Sequence, residues 1–493
     1  MVEAAQQALF GVLAWPAIGF LMLGVLLGIF FGMIPGLSGL TGMAILLPFT
    51  FGLQPYEAMA LLMGMFAITA TSDTIPSVLL GIPGTAGSQA TIMDGFPMAK
   101  KGEAARAFGA AYTVSAFGGI VGAVVLVASI PILVPLISVF GSPEFFMLGI
   151  LGLAMVGSLS GHSPLKGVLV GLLALLLSMI GYSPQAGIPR FWMYWPYLLE
   201  GLPLVPVVLG LFAIPEVVEL AVRRGALAEV PVMGKGIFDG VQDAVRHWWL
   251  ALRCALIGVY IGFIPGLGAS IVDWVAYGHA VQSSDNSESF GKGDVRGVIA
   301  PESANNAMRG GALIPTIAFG VPGSASMAIL LGGLLIHGIY PGTEILTRRV
   351  DVLFSLIWSL VIANVVAAAL LMGWTSQLAK ITTTRGSIII PMILVLVFMG
   401  SWMATQDFGD WGVLLAFGLL GYLMKRWAWP RPPIALGLVL GPFVERYLDI
   451  SVGLYGWSWL GRPVVIILIL GILATFYRAI RQRSKPADVT TGV

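Results

Sequence analysis

Two interrupted hydrophobic segments occur in this chain, and both occur twice. Gly32-Met33-Ile34-Pro35-Gly36-Leu37 returns as Gly262-Phe263-Ile264-Pro265-Gly266-Leu267. Further on, Ile75-Pro76-Ser77-Val78-Leu79-Leu80-Gly81-Ile82-Pro83-Gly84-Thr85 returns as Ile314-Pro315-Thr316-Ile317-Ala318-Phe319-Gly320-Val321-Pro322-Gly323-Ser324. The second pair keeps its Ile, both Pro and both Gly, and keeps a hydroxyl at Ser77/Thr316 and Thr85/Ser324. Proline removes an N–H and glycine relaxes the backbone, so a helix opens at such a place and releases polar groups. In an apolar surrounding each released group costs several kcal/mol unless something binds it. Matching interruptions in two halves therefore predict a ligand site built from paired broken helices.

That surrounding is a bilayer. Of the 493 residues 57% are hydrophobic and only 10% charged, against about 25% charged in a soluble domain. Apolar stretches at about 9–31, 40–53, 57–71, 107–137, 145–160, 165–182 and 198–222 precede a charged stretch, 223–253. Others follow it at about 254–281, 311–340, 352–374, 387–404, 411–424, 433–443 and 463–477, with a polar segment at 282–310. The predicted fold is an all-α polytopic membrane protein of about twelve spans, each needing about 20 residues. It has two repeats, taken as inverted, each with a Gly/Pro-broken re-entrant hairpin. The organisation is repeat 1 over 1–222, an amphipathic charged connector over 223–253, repeat 2 over 254–477 and a polar tail over 478–493. Ile75 follows Gly32 by 43 positions and Ile314 follows Gly262 by 52, so the second half carries nine extra residues in its polar segment.

Lys and Arg in the connector predict a cytoplasmic loop, with Lys100, Lys101 and Arg106 on the same side. Charge counting alone leaves the repeat inverted or parallel, because Arg348-Arg349 follow the second broken segment as Lys100-Lys101 follow the first. The first basic residue is Lys100, so the start lacks the basic region of a cleaved signal and reads as the first membrane helix. A net charge of +2 implies no nucleic-acid partner, and the single Cys254 reads as a small core residue.

The hairpins concentrate hydroxyls, amides, opened backbone and one carboxylate. Thr74, Ser77, Pro83, Gly84 and Thr85 in the first half, and Asn305, Asn306, Thr316, Pro322, Gly323 and Ser324 in the second, are the candidate substrate-binding residues. Amide N–H groups at a half-helix start suit a carboxylate anion. Asp73, Ser72, Gly36, Gly266 and Asp273 are the candidates for a coupling cation, because an intramembrane carboxylate is functional by default and carbonyls and hydroxyls suit a small hard ion. No basic residue lies within either Pro-Gly motif, so anion binding is expected to rest on helix ends, backbone and Asn side chains. Asp94 and Glu302 read as solvated or capping, and Arg190 as an interface anchor. The four His have no metal-ligand spacing, and neither a bound metal nor another cofactor is expected. There is no Walker A loop, zinc signature or nucleophile elbow, which disfavours ATP-driven and hydrolytic chemistry.

The chain resembles the large membrane subunit of the bacterial tripartite tricarboxylate transporters over about 17–475. The likeness is carried by Gly32–Leu37 with Leu47-Pro48-Phe49-Thr50-Phe51-Gly52-Leu53, and by Gly81–Thr85 with Asp94-Gly95-Phe96-Pro97-Met98-Ala99-Lys100. It continues through Ser163-Pro164-Leu165-Lys166-Gly167, Gly201-Leu202-Pro203 to Glu216, Ala300-Pro301-Glu302-Ser303-Ala304-Asn305-Asn306, Gly310–Ser324 and His337-Gly338. The resemblance implies secondary active, ion-driven uptake of a di- or tricarboxylate, with sodium as coupling ion and elevator-like movement. It implies a small membrane subunit and a periplasmic solute-binding protein as partners, and the bacterial inner membrane as location. A stand-alone carboxylate exchanger or exporter, or a passive channel, are the alternatives. Where the family pattern carries Gly-Gly-Ser and an Asn before the Pro-Gly pair, this chain has Ser72-Asp73-Thr74 and Gly81; where many members have Asp, it has Ser183 before Pro184. The first change adds a negative charge and removes an amide beside the expected anion site, which leaves an acid less charged than citrate open.

Overall fold

The computed structural model describes residues 1–34, 37–159, 164–183, 185–222, 234–264, 269–378 and 386–482. The first half contains α1 (Val2–Leu13), α2 (Ala17–Met33), α3 (Gly39–Leu46), α4 (Pro55–Ser72), α5 (Thr74–Leu80), α6 (Thr91–Lys100), α7 (Ala104–Ser138), α8 (Ser142–Leu159) and α9 (Pro164–Ser178). A short antiparallel ribbon, β1 (Gly181–Tyr182) with β2 (Pro189–Arg190), leads to α10 (Leu204–Val208) and α11 (Ile214–Val222), joined by a π-turn. The amphipathic α12 (Ile237–Arg246) follows. The second half contains α13 (Trp248–Phe263), α14 (Ala269–Gln282), α15 (Arg296–Phe319), α16 (Ala325–Ile336) and α17 (Val350–Leu378). It ends with α18 (Gly386–Trp402), α19 (Gly409–Arg426), α20 (Pro432–Tyr455) and α21 (Pro463–Gln482).

Among the described residues four stretches are long and apolar enough to cross a membrane: Pro55–Leu80, Ala104–Ser138, Leu204–Val222 and Val350–Leu378. Taking α1 and α2, bent by 70°, as one broken span makes five. Several shorter apolar helices accompany them. These helices suit an all-α membrane protein by length and composition.

Two helices form the centre. Every residue of α15 from Gly297 to Ala318 is buried, as is every residue of α4 from Ala58 to Ser72. A helix buried on all sides meets protein rather than lipid, which is why α15 tolerates Glu302, Asn305, Asn306 and Arg309. The sequence division at 310/311, polar before and apolar after, falls inside this one helix.

Glycines at four-residue spacing set the packing. On α2, a β-carbon at Gly28 would come within 3.1 Å of the Met65 carbonyl oxygen, and one at Gly32 within 3.2 Å of that of Thr69. On α13, a β-carbon at Gly258 would lie 2.8 Å from Cα of Ala304, and one at Gly262 would lie 3.0 Å from Cγ of Met308. Met65 and Thr69 on α4 stand where Ala304 and Met308 stand on α15 in the repeat, so α2 packs on α4 as α13 packs on α15. Small residues at this spacing let helix backbones touch, where dispersion does the holding that hydrophobic burial cannot do in lipid.

The long helices exchange partners: α7 from the first half lies along α15, and α17 from the second lies along α4. Arg106 at the start of α7 pairs with Asp243 of α12 at 2.7 Å. Lys101 Nζ donates to the Lys292 carbonyl at 2.6 Å. The connector helix, the Lys100–Arg106 end and the extra residues of the second half thus share one side of the molecule.

Candidate functional site

Both hairpins turn by the same device. Gly81 (φ 64°) and Gly320 (φ 66°) end their helices in the left-handed region, where a side chain would be strained. The next residue bonds back six positions: Ile82 N–H to the Pro76 carbonyl at 3.4 Å, Val321 N–H to that of Pro315 at 3.2 Å. Pro83 and Pro322 follow and cannot continue a helix. Thr85 then accepts from Gly87 N–H at 3.2 Å, and Ser324 accepts from Met327 N–H at 3.3 Å, each capping the next helical turn. Ser77 and Thr316 donate to carbonyls one turn back, of Asp73 (2.8 Å) and Ala312 (2.7 Å). Much of the repeated pattern is thus accounted for by turn geometry.

The two loops differ in what they rest on. A β-carbon at Gly84 would meet Asp73, 2.7 Å from its Cα; at the equivalent Gly323 it would meet Ala312, 3.5 Å from its Cα, and the Gly262 carbonyl at 3.0 Å. Asp73 and Ala312 are equivalent positions, so the first hairpin carries a carboxylate where the second carries a methyl. Thr85 Oγ1 donates to Asp73 Oδ2.

Around this loop lies a group of buried polar atoms with no protein partner. They are Asp73 Oδ1, Thr74 Oγ1, which stands near the Glu302 carboxylate, both Oδ1 and Nδ2 of Asn305, and Nε of Arg309. Asp73, Thr74 and Asn305 are fully buried and Arg309 is 7% exposed. Each such group costs about 1–3 kcal/mol unless it is matched. Asn305 faces the first loop: a β-carbon at Gly87 would lie 2.9 Å from its Nδ2. Positions 305, 309 and 312 share one face of α15. The first loop rests at Asn305 and the second at Ala312, about 10 Å further along the axis, with Arg309 between them.

The other expected residues are also placed. Asn306 spends its amide on helix packing: it accepts from Thr71 Oγ1 (3.0 Å) and donates to the Ala70 (3.4 Å) and Glu302 (3.2 Å) carbonyls. Ser72 donates to the Gly28 carbonyl at 3.0 Å and ties α4 to α2. Asp273 accepts from Ala90 N–H at 2.9 Å, capping α6 just beyond the first loop. Gly36 and Gly266 lie outside the described residues.

Two expectations change. Glu302 is not solvated; it is fully buried and accepts from Thr91 Oγ1 at 2.7 Å and Ser115 Oγ at 3.5 Å, joining α15 to α6 and α7. Asp94 does cap backbone, but from full burial: it takes the N–H groups of Gly293 and Asp294 at 2.8 Å each and the Tyr277 hydroxyl at 2.9 Å, fastening the extra residues of the second half. At the neighbouring Asp294 burial works against ionisation, yet hydrogen bonds from Arg296 outweigh it and hold the carboxyl below the usual range. A basic residue also lies beside these groups. Arg309 stands outside the Pro-Gly motifs but within one helical face of Asn305, and the spacing 302, 305/306, 309 was the signal that could have found it. Arg190 pairs with Glu445 through two bonds, at 2.7 and 3.0 Å, away from this centre.

Chemically the group has two ends. Asp73 Oδ1, Thr74 Oγ1 and Asn305 Oδ1 are oxygen acceptors, the atom type that suits an alkali cation. Asn305 Nδ2 and the Arg309 guanidinium are donors, fit for an anion. Gly87→Ala is expected to wedge Asn305 aside and weaken ligand binding at this centre about tenfold, the effect of about 1.4 kcal/mol. The thermal unfolding midpoint should stay near that of the parent. Unchanged binding would remove Asn305 from the site.

Several helices long and apolar enough to cross a membrane, around a buried polar centre at a helix break, define a multi-pass membrane protein. The chain belongs to the tripartite tricarboxylate transporter TctA family, whose model matches residues 18–436, and is thereby the large subunit of such a transporter. It is 30% identical over 434 residues, 86% of this chain and 85% of the relative, to an uncharacterized 52.8 kDa protein in the TAR-I ttuC' 3' region of Agrobacterium vitis. A second protein of that organism, from the TAR-II ttuC' 3' region, is 30% identical over 191 residues, 39% of this chain and 79% of the relative. No solved structure matches the chain.

Proposed function

We propose that this subunit carries an organic acid inward through the bacterial inner membrane, driven by a cation gradient with sodium as the ion. It does so together with a small membrane subunit, and a periplasmic binding protein delivers the acid. The observation that carries this reading is the set of unmatched buried groups at the first hairpin, oxygen ligands at one end and donors at the other, in a chain of this family. Asp73 with Thr74 and the Asn305 carbonyl oxygen takes the cation, and the acid lies between the two hairpin loops. Each positive charge entering down 100 mV contributes about 2.3 kcal/mol, so two ions offset the charge of a dianion.

The two repeats are taken as inverted. What supports this is chain direction: Phe66 of α4 meets Arg309 of α15 while Thr71 meets Asn306, so numbers rise along one helix as they fall along its repeat equivalent. Equivalent helices running oppositely are what a two-fold axis in the membrane plane produces. Elevator-like movement would carry α4, α5 and α15 with their glycine-packed partners as one body.

The test is uptake of labelled citrate, malate and succinate into proteoliposomes holding both membrane subunits, with binding protein outside. Accumulation needing both the binding protein and an inward sodium gradient is expected. Uptake indifferent to the binding protein, or flux that only equilibrates, would overturn the proposal.

A further inference from the structure

We infer that Arg309 is the residue that grips a carboxylate of the transported acid, with Nδ2 of Asn305 as its neighbour in the grip. The inference rests on the reading that this centre carries organic acids. Its starting point is a buried charge without an ion pair, on which the Asp73 carboxylate acts only from a distance. Arg309 lies in the middle of α15, 93% of its surface is covered, and among the described residues no carboxylate oxygen stands within ion-pair distance of it. Its Nη1 donates to the Phe66 carbonyl and its guanidinium lies over the Phe66 ring, 4.5 Å from the centroid. Those two contacts fix the plane of the group. They satisfy one donor of five.

The Nε of Arg309 is unmatched. A guanidinium edge is a planar fork whose paired donors fit the two oxygens of a carboxylate, so what completes this site is a carboxylate rather than a halide or a neutral hydroxyl compound. One turn away on the same face, Asn305 has both ends of its amide unmatched. With Nδ2 toward the acid and Oδ1 toward the cation at Asp73, one side chain touches both cargoes, and filling either end favours the other. Position adds to the argument, since Arg309 lies between the places where the two hairpin loops rest on α15. Either loop can therefore close over an acid held there.

Two readouts separate this inference from the transport reading. The first is the rise in thermal unfolding midpoint that citrate or succinate causes in the detergent-purified two-subunit complex, with apparent affinity taken from the dose response. The second is sodium-driven uptake. In Arg309→Gln the affinity for the acid should fall about 100-fold, the usual scale for breaking a buried charge pair. Arg309→Lys should bind more weakly than the parent and more tightly than the Gln variant. Should Arg309→Gln fail to fold, Asn305→Asp decides: its carboxylate reaches Arg309 from one turn away, so it should raise the midpoint without acid and abolish the acid response. Equal stabilisation of parent and Gln variant, a normal acid response in Asn305→Asp, or a parent that neither acid stabilises would each overturn the inference. Acid binding that depends on Arg309, accompanied by flux that ignores every ion gradient, would keep the inference and overturn the coupled carrier.

Discussion

Asp73→Asn is expected to raise the sodium concentration for half-maximal uptake about 100-fold, since the cation loses the only full negative charge among its proposed ligands and about 2.7 kcal/mol corresponds to that factor. The amide keeps the size of the side chain. It leaves an acceptor for the Thr85 hydroxyl, so the hairpin should still close. Sodium-independent exchange of labelled for unlabelled acid should survive better than net uptake, because the proposed acid-binding end is untouched. The measurement is the sodium titration of initial uptake rate in proteoliposomes, with counterflow at equal sodium on both sides as its partner. Thr85→Val separates charge from packing: it removes the hydroxyl that reaches Asp73 and keeps the carboxylate, so its half-saturation should move far less. An Asp73→Asn protein with the parent's sodium dependence would place the cation elsewhere. The contrast between the halves sharpens the expectation, since Ala312 holds the equivalent position in the second hairpin and offers no ligand there.

Gly310→Ala is expected to destabilise the protein by about 3 kcal/mol, the upper end of the usual cost of overpacking. The added carbon would lie 2.5 Å from the carbonyl oxygen and 2.6 Å from Cα of Gly122. Both are backbone atoms of α7 and have no rotamer to escape into, so α7 and α15 must move apart. Separation also opens the neighbouring contact of Gly122 with Ala307, where a β-carbon would already sit 2.7 Å from the carbonyl oxygen. The unfolding midpoint of the purified complex should drop by several degrees, and uptake should fall with it because the face bearing Asn305 and Arg309 shifts. Gly373→Ala is the control. It lies in α17 with nothing within 4 Å of the added carbon, and should be neutral or stabilising by up to about 1 kcal/mol through helix propensity. A Gly310→Ala protein as stable as the parent would refute the tight α7–α15 crossing.

The hairpins were legible because turn chemistry is local. A glycine at positive φ, a proline that cannot continue and a hydroxyl that caps the next turn are needed wherever a helix stops and restarts, and the chain shows them at Gly81–Thr85 and Gly320–Ser324. Arg309 and Glu302 were not legible by the same route. Both lie in the half of α15 whose low hydropathy reads as a connecting segment. Hydropathy reports contact with lipid, and α15 has none along its buried length. Asn306 was legible as a polar residue in the right place, yet whether its amide faced a ligand or a neighbouring helix depended on α4, 235 positions away in the chain.

The sequence by itself determined that this is an α-helical membrane protein with two halves, and where each half breaks its helices, because the bilayer demands satisfied backbone and only a few residue types permit the break. Tertiary structure alone decided which polar groups remain unspent. Ser77, Thr316, Ser72 and Asn306 each found a backbone or side-chain partner, whereas Asp73, Thr74, Asn305 and Arg309 each kept an unmatched atom. Hydrogen-bond satisfaction is a property of neighbours, and it is the packing of α4, α7 and α13 around α15 that distributes those neighbours.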